Sequence, residues 1–515
     1  MYHQASFRRL QPIRLPALVI ALLACLAVVQ PVRAQRDTRV ADAAERRDMA
    51  ALDALVNARA DVNVPQPDGA TALQWAAHWG DTKMVDLLLR AGADVDAAND
   101  HGVTPLGLAA ESQHLAVIER LLAARANPNA AVKTGASVLM TAARTGNAAI
   151  VGALLKQGAK ADAAEPLHGQ TALMWAAAQG HPDAVRVLLA AGASVGARSK
   201  VRRRTVQTAN RYGDQNSVRG VIEVDLGSFT PLLFAARSGD EVSAKHLLAA
   251  GADVNDATPG GASALVIAAH SGNSVVAHTL LRAKADPNAA GAGYAPLHAA
   301  VLRGDMPLVE ALLAAGASVD VRLAKATPSR YYSKDYAFND ALIGATPYWL
   351  AARFGEPAMM RAVVKAGADP LVTMPDGMTA LMAAVIPTRG LGTFNAGDRR
   401  DRYQGPADVA AKADDEDEAI TIETGKVAIE LGSPVNAANQ DGDTALHLAA
   451  GLALNRVVRF LAEQGALLDA KNKRGQTPLA LTAALPPRTL TSAFFMNPEF
   501  RKGTATLLRE LGAKE

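Results

Sequence analysis

The sequence predicts an all-α solenoid of about twelve helix–turn–helix–hairpin units, interrupted by four insertions. Three observations lead to this fold class. A motif such as "TALQWAA" or "TPLGLAA" recurs along the chain, mostly 33 residues apart. Nearly every copy begins with Thr or Ser, and in most copies a Gly follows 21 residues later. A fixed period of this length is the signature of stacked repeats.

The first residue of each copy, here called its anchor, is expected to cap a first helix, helix A. Thr and Ser accept hydrogen bonds from the free N–H groups of a helix start, and Pro is tolerated at the next position. The steps between successive anchors are 33, 33, 34, 59, 33, 32, 51, 33, 65 and 33 residues. The anchors are Thr71, Thr104, Ser137, Thr171, Thr230, Ser263, Ala295, Thr346, Thr379, Thr444 and Thr477.

The rest of each unit follows the same logic. Alanine pairs such as Ala76-Ala77 let neighbouring A helices approach closely, and a second helix, helix B, follows after a Gly. The Gly at anchor +21 suits a left-handed residue at the end of helix B. Arg125 and Lys284 occupy this position in two units, where that conformation is less favourable.

These motifs, T-x-L-x-x-A-A followed by L-L-x-x-G-A-D-V-N and a D/N-x-G turn, resemble the ankyrin repeat. The resemblance covers residues 38–515 apart from the insertions, with "AAERRDMAALDALVNARADVN" as a degenerate N-terminal unit. It implies a protein-binding solenoid whose concave face is formed by the hairpins and the ends of the A helices. Anchor positions −1, +7 and +8 are therefore expected to contact a partner.

Four breaks in the period locate the insertions near residues 198–226, 322–343, 386–424 and 486–503. The first two add about 26 and about 18 residues to hairpins, so both are expected to project from one edge, with bases about 30 Å apart. The last two add about 32 and about 14 residues between helices A and B, on the opposite edge.

The candidate protein-binding residues are aromatic or basic, which are the types that dominate interface energies. A structural role is the alternative, because Arg also stabilises helix ends and rings pack against loops. The candidates are His78, Trp79, Arg144, Arg202, Arg203, Arg204, Tyr212, Phe229, Arg237, Tyr294, Tyr331, Tyr332, Tyr336, Phe338, Arg353 and Phe354.

Residues 1–34 are predicted to be a signal peptide, with basic residues before an apolar run and a small-residue cleavage site ahead of Gln35. A periplasmic or secreted location follows. A lipid anchor at Cys25 and the twin-arginine route through Arg8-Arg9 remain alternatives. The run is too short to span a bilayer, so we expect no transmembrane span in the mature chain.

Composition excludes several classes of function. Cleavage would remove four Arg, leaving 49 basic against 50 acidic residues, a net charge of about −1. Cys25 is the only cysteine, so the mature chain would have no disulfide and no thiol nucleophile. No motif for a cofactor, a metal or catalysis is present, and we expect neither nucleic-acid binding nor oligomerisation.

The sequence thus predicts an exported, non-enzymatic ankyrin-repeat scaffold that binds a protein partner through its concave face and insertions. Two alternatives stay open: a regulatory or accessory subunit of an envelope enzyme, and a structural spacer in the envelope.

Overall fold

The computed structural model describes residues 37–207, 221–326, 338, 340–386, 407–483 and 498–514. These residues contain 24 α-helices, a short 3-10 helix at Asp340–Leu342 and two β-strands. The chain divides into two compact units, the first ending at Ala126 and the second beginning at Asn127. The predicted signal peptide lies outside the described residues.

The first unit consists of helix pairs in which each A helix packs on the next A helix and each B helix on the next B helix. The predicted degenerate N-terminal unit forms the first pair. The A helices are Arg39–Glu45, Ala72–Trp79 and Pro105–Glu111, and the B helices are Met49–Asn57, Thr82–Arg90 and Leu115–Ala123.

The second unit repeats this arrangement, and the all-α solenoid prediction is confirmed for the repeats. Its A helices are Val138–Thr145, Ala172–Gln179, Pro231–Ser238, Ala264–Ser271, Pro296–Arg303, Pro347–Phe354, Ala380–Val385, Ala445–Gly451 and Pro478–Ala483. Its B helices are Ala148–Lys156, Pro182–Ala190, Glu241–Ala249, Ser274–Arg282, Met306–Ala314, Pro357–Lys365, Ala407–Glu430, Asn455–Glu463 and Pro498–Glu510.

Every predicted anchor directly precedes the first residue of an A helix. Most anchors cap the helix through their side chain, as Thr346 does by accepting from Trp349 N–H at 3.3 Å. Thr230 makes no such bond. At Ala295, which has no hydroxyl, Nδ1 of His298 accepts from the anchor N–H at 3.1 Å and ties the helix start instead.

The backbone at anchor +21 is left-handed, as predicted. Gly192 and Gly251 have φ angles of 83° and 90°, and Arg125 and Lys284 adopt the same conformation with φ of 66° and 69°. The two non-glycine residues therefore carry the steric cost that a Cβ meets in this region.

Close packing between repeats follows from the alanine pairs, which are fully buried, as at Ala142 and Ala143. The hairpins are tied by side-chain amides. Asn129 donates to Gly158 O at 3.0 Å and accepts from Lys160 N–H at 2.8 Å in the next repeat. These bonds satisfy backbone groups at the helix ends that no helix can pair.

The insertions between helices A and B lengthen helix B. Helix Ala407–Glu430 has 24 residues and helix Pro498–Glu510 has 13, whereas the neighbouring helix Asn455–Glu463 has nine. The remaining parts, residues 387–406 and 484–497, lie outside the described residues. Both longer helices occupy the helix B position of their repeats.

The hairpin insertions leave the neck of the hairpin unchanged. In an uninterrupted repeat, Thr258 N–H donates to Ala262 O at 3.0 Å. At the same repeat positions Ser199 N–H donates to Phe229 O at 3.0 Å, and Leu323 N–H donates to Ala345 O at 2.9 Å. Both insertions therefore begin and end beyond this bond, at the tip of the hairpin.

The first hairpin insertion forms an antiparallel two-stranded ribbon, with strands Arg202–Gln207 and Val221–Leu226. The sequence analysis did not anticipate these strands. Within the second hairpin insertion, residues 327–337 and 339 lie outside the described residues.

Candidate protein-binding surface

The end of helix A is held in place by the following repeat. A side chain of the next repeat reaches the carbonyl of the residue at anchor +7, which has no partner within its own helix. This bond fixes the backbone that carries the +7 and +8 side chains. The pairs are His114 Nε2 with His78 O at 3.1 Å, His181 Nε2 with Arg144 O at 2.9 Å, and Asn273 Nδ2 with Arg237 O at 3.0 Å.

In the first unit these positions carry an aromatic cluster. The Trp79 ring stacks on Trp75 with centroids 6.2 Å apart and meets the edge of His78 at 4.7 Å. Cζ of Arg47 lies 5.7 Å from the Trp79 centroid, and Trp75 Nε1 donates to Gln66 at 2.8 Å. Trp79 nevertheless stays 37% exposed, so a large ring is presented to solvent in a defined orientation.

In the second unit the corresponding region carries a cation–π group. Cζ of the exposed Arg237 lies 5.3 Å from the Phe229 centroid and 5.2 Å from that of Phe234. The two rings are 5.2 Å apart. Phe229, at anchor −1, is partly exposed and Phe234 is buried, so Phe229 and Arg237 form the solvent-facing part of this group.

Three candidates are buried, which removes them from the contact surface. Phe338 is 0% exposed and packs against Tyr294, at a centroid distance of 4.9 Å. Tyr294 is itself buried, and this burial raises the pKa of its phenol. Arg353 donates to Ile386 O at 2.8 Å, and burial lowers the pKa of its guanidinium to about 10. Because these three side chains are enclosed by the repeats, they stabilise the packing of the repeats.

The other candidates divide between exposed and undescribed residues. Arg144 is exposed and Phe354 is partly exposed at the ends of their A helices. Tyr212, Tyr331, Tyr332 and Tyr336 lie outside the described residues, and their predicted contact role stays a prediction.

The run of basic residues entering the first hairpin insertion has divided roles. Arg198 donates to Ser228 O at 3.2 Å and to Ala257 O at 3.3 Å, and it pairs with Asp256. Lys200 Nζ donates to Pro166 O at 2.7 Å. These two residues brace the neck of the insertion.

A matching brace stands at the second hairpin insertion, and the sequence analysis missed it. Arg322 donates to Gly344 O at 2.7 Å and to Thr373 O at 3.0 Å, which are the repeat positions that Arg198 contacts. Both arginines lie six residues after the anchor +21 Gly, in "GASVGAR" and "GASVDVR". Most other repeats have Ala there, so an Arg at this position is the signal that finds the brace.

Beyond the neck, the ribbon separates its charges by face. Arg203 lies 3.1 Å from Asp225 and 3.8 Å from Glu223 on one face. Arg202 is paired across the strands with Leu226, and Arg204 with Val224, so these four residues share the other face.

The described residues contain no group of three or more His, Cys, Asp or Glu side chains that could hold a metal ion. Among the helices in the described ranges, none is long and apolar enough to cross a membrane.

The fold and this surface define a helix–turn–helix–hairpin repeat protein. The family model "Ankyrin repeats (3 copies)" matches residues 40–132, 118–199, 207–291 and 232–323, and the model "Ankyrin repeat" matches residues 441–473. Because these matches cover more than half of the chain, the chain belongs to the ankyrin-repeat family. Ankyrin repeats generally mediate protein–protein interactions. No curated protein matches the chain at a significant level.

Proposed function

We propose that this chain is an exported, non-enzymatic scaffold that binds a protein partner through the ends of its A helices and its hairpin insertions. The observation that supports the proposal most strongly is Trp79. Tryptophan is among the residue types most enriched at binding hot spots, and Trp79 belongs to a cluster with Trp75 and His78 instead of standing as an isolated exposed ring.

The packing around Trp79 also favours binding. Its contacts with Trp75, His78 and Arg47 restrict its rotamers before any partner arrives. Ordering an interface side chain costs roughly 0.5–1.5 kcal/mol on binding, and a side chain that is already ordered avoids most of that cost. In the second unit, Arg144, Phe229, Arg237 and Phe354 are the remaining candidates for partner contact.

Export is proposed from the pattern of residues 1–34, with a periplasmic or secreted mature chain that acts as a monomer. Fractionation of cells and N-terminal sequencing of the recovered chain test this part. A chain beginning at Gln35 in the periplasm or medium supports export. A lipid-modified Cys25 at the N-terminus would show export with a lipid anchor in place of cleavage before Gln35. Full-length chain in the cytoplasm would contradict export, and neither result bears on partner binding.

Partner binding is tested by cross-linking capture from the envelope fraction with the purified chain and its Trp79→Ala variant. We expect recovery of the captured partner to fall at least about tenfold, corresponding to roughly 1.4 kcal/mol. Trp79→Phe, which keeps a ring, should restore part of it. Val275→Ala is the control, because Val275 is 59% exposed on helix B and is not at one of the proposed contact positions.

Circular dichroism and the melting temperature establish that each variant remains folded. Equal capture by the native chain, Trp79→Ala and Val275→Ala would contradict the proposed contact surface. A complete absence of any captured partner would favour the structural spacer instead.

A further inference from the structure

The ribbon of the first hairpin insertion carries charges that its own residues neutralise on one face only. Arg203 faces two carboxylates, Glu223 and Asp225, at 3.8 Å and 3.1 Å. On the opposite face, Arg202 and Arg204 lie beside aliphatic side chains. None of the described strand residues on that face has a carboxylate. That face therefore has two positive charges, whereas the first face has a net charge of −1.

The same face exposes apolar surface. Leu226 is 38% exposed and Val224 is partly exposed, directly across the strands from Arg202 and Arg204. A phosphate backbone would pair with the arginines but leave these aliphatic groups uncovered. A peptide strand that carries acidic and apolar side chains two residues apart would satisfy both, because residues i and i+2 of a strand lie on the same face.

The edges of the ribbon are open as well. The sheet has two strands, so each strand has one side without a neighbouring strand. Among the described residues, no backbone hydrogen bond joins either strand to a segment outside the ribbon. An open edge of this kind accepts an added strand through main-chain hydrogen bonds.

We propose that the ribbon, Arg202–Gln207 with Val221–Leu226, docks an extended acidic segment of a protein partner as an added strand. Carboxylates of the segment pair with Arg202 and Arg204, and its apolar side chains cover Leu226 and Val224. The inference rests on the proposed function only in taking the partner to be a protein.

The test uses the full chain and a fluorescein-labelled peptide of roughly eight residues, long enough to span a typical strand. In this Glu–Val peptide, Glu-Thr-Val-Thr repeated, Glu and Val take turns on one face and Thr fills the other. Fluorescence anisotropy measures its dissociation constant. We expect Arg204→Glu to weaken binding about tenfold and Arg202→Glu with Arg204→Glu to abolish it. Arg203→Glu is the matched control, since the same charge change is made one residue away on the opposite face, and binding should change less than about twofold.

Three further probes decide the mode of binding. The same peptide with Lys in place of Glu should not bind, and N-methylation of alternate amides in the Glu–Val peptide should weaken binding at least about tenfold by removing strand donors. Equal losses for Arg203→Glu and Arg204→Glu, or full binding of the N-methylated peptide, would overturn the docking geometry. Tighter binding of a short oligothymidylate than of the Glu–Val peptide would overturn the proposal in favour of nucleic acid.

Failure of the Glu–Val peptide to bind would also overturn the proposal. The arginines would then serve only to keep the open strand edge soluble. Trp79→Ala is included in the same assay and should bind the peptide normally. A failure of the ribbon proposal is thereby separated from a failure of the contact surface around Trp79.

Discussion

The two hairpin insertions have necks of the same geometry but differ beyond them. In both, an arginine six residues after a left-handed Gly, Arg198 or Arg322, donates to two carbonyl groups, one of them in the following repeat. Past the neck, the first insertion forms a ribbon with exposed side chains such as Arg204. In the second insertion, the fully buried ring of Phe338 packs against the repeats.

The difference shows which part of an insertion the repeat constrains. The neck must keep the backbone bond that closes every hairpin, because adjacent repeats pack only when their hairpins have the same geometry. The tip meets no such requirement. The first insertion therefore offers its surface to solvent, while the second uses part of its length for packing.

The largest expected effect comes from removing the ring that anchors the second insertion. Phe338→Ala should lower the free energy of unfolding of the surrounding repeats by roughly 3–5 kcal/mol, because it leaves a cavity against Tyr294, His270 and His298. Urea denaturation with hydrogen exchange measures the loss. Leu226→Ala in the ribbon is the control and should cost less than about 0.5 kcal/mol. Similar losses at both sites would remove the distinction between the insertions.

Acidification should also weaken the packing at the neck of the second insertion, through His298. Burial lowers the pKa of His298 to about 4, from an ordinary value of 6.5. Its Nδ1 accepts from Ala295 N–H and its Nε2 donates to Ala345 O at 3.3 Å, so the neutral ring is the form that fits. The pKa is lower in the folded state, so its stabilising effect is complete above pH 6.5 and is lost as the pH falls towards 4. The loss should reach roughly 3 kcal/mol.

The control for this pH dependence comes from the chain itself. Gln74 occupies the equivalent position in another repeat, where it accepts from Thr71 N–H at 2.8 Å and donates to Ala97 O at 3.1 Å. His298→Gln should therefore fold and lack this contribution to the pH dependence. In the repeat that follows the ribbon, the position equivalent to His298 is held by Leu233, which does not titrate. If His298→Gln loses as much stability from pH 7 to pH 4 as the native chain, the prediction is wrong.

The smallest expected effects on stability come from the two arginines that brace the necks. Arg198→Ala and Arg322→Ala should each lower the free energy of unfolding by roughly 1–2 kcal/mol, since each leaves two carbonyl groups without this donor at a partly exposed site. Limited proteolysis should show faster cleavage within the corresponding insertion. Arg204→Ala serves as the exposed control and should change neither measurement. A marked effect at only one neck would mean that the two braces are not equivalent.

Much of the fold could be predicted from the sequence because repeat geometry depends on local chemistry. Thr346 caps a helix, and Gly251 adopts a left-handed backbone, for reasons contained in a few neighbouring residues. The breaks in the period also give an expected position for each insertion within its repeat. The candidate site was harder to predict, because exposure depends on neighbours that are distant in the sequence. Trp79 and Tyr294 look equally suitable as contact residues, yet only Trp79 reaches solvent.

The sequence by itself determined the repeat, the starts and ends of its helices, and the points at which the period breaks, since capping, helix propensity and backbone handedness act over a few residues. Only the tertiary structure decided the rest. The burial of Phe338, the bracing by Arg198 and Arg322, and the division of the ribbon into two faces arise from contacts between residues brought together by stacking and strand pairing. No local pattern specifies those contacts.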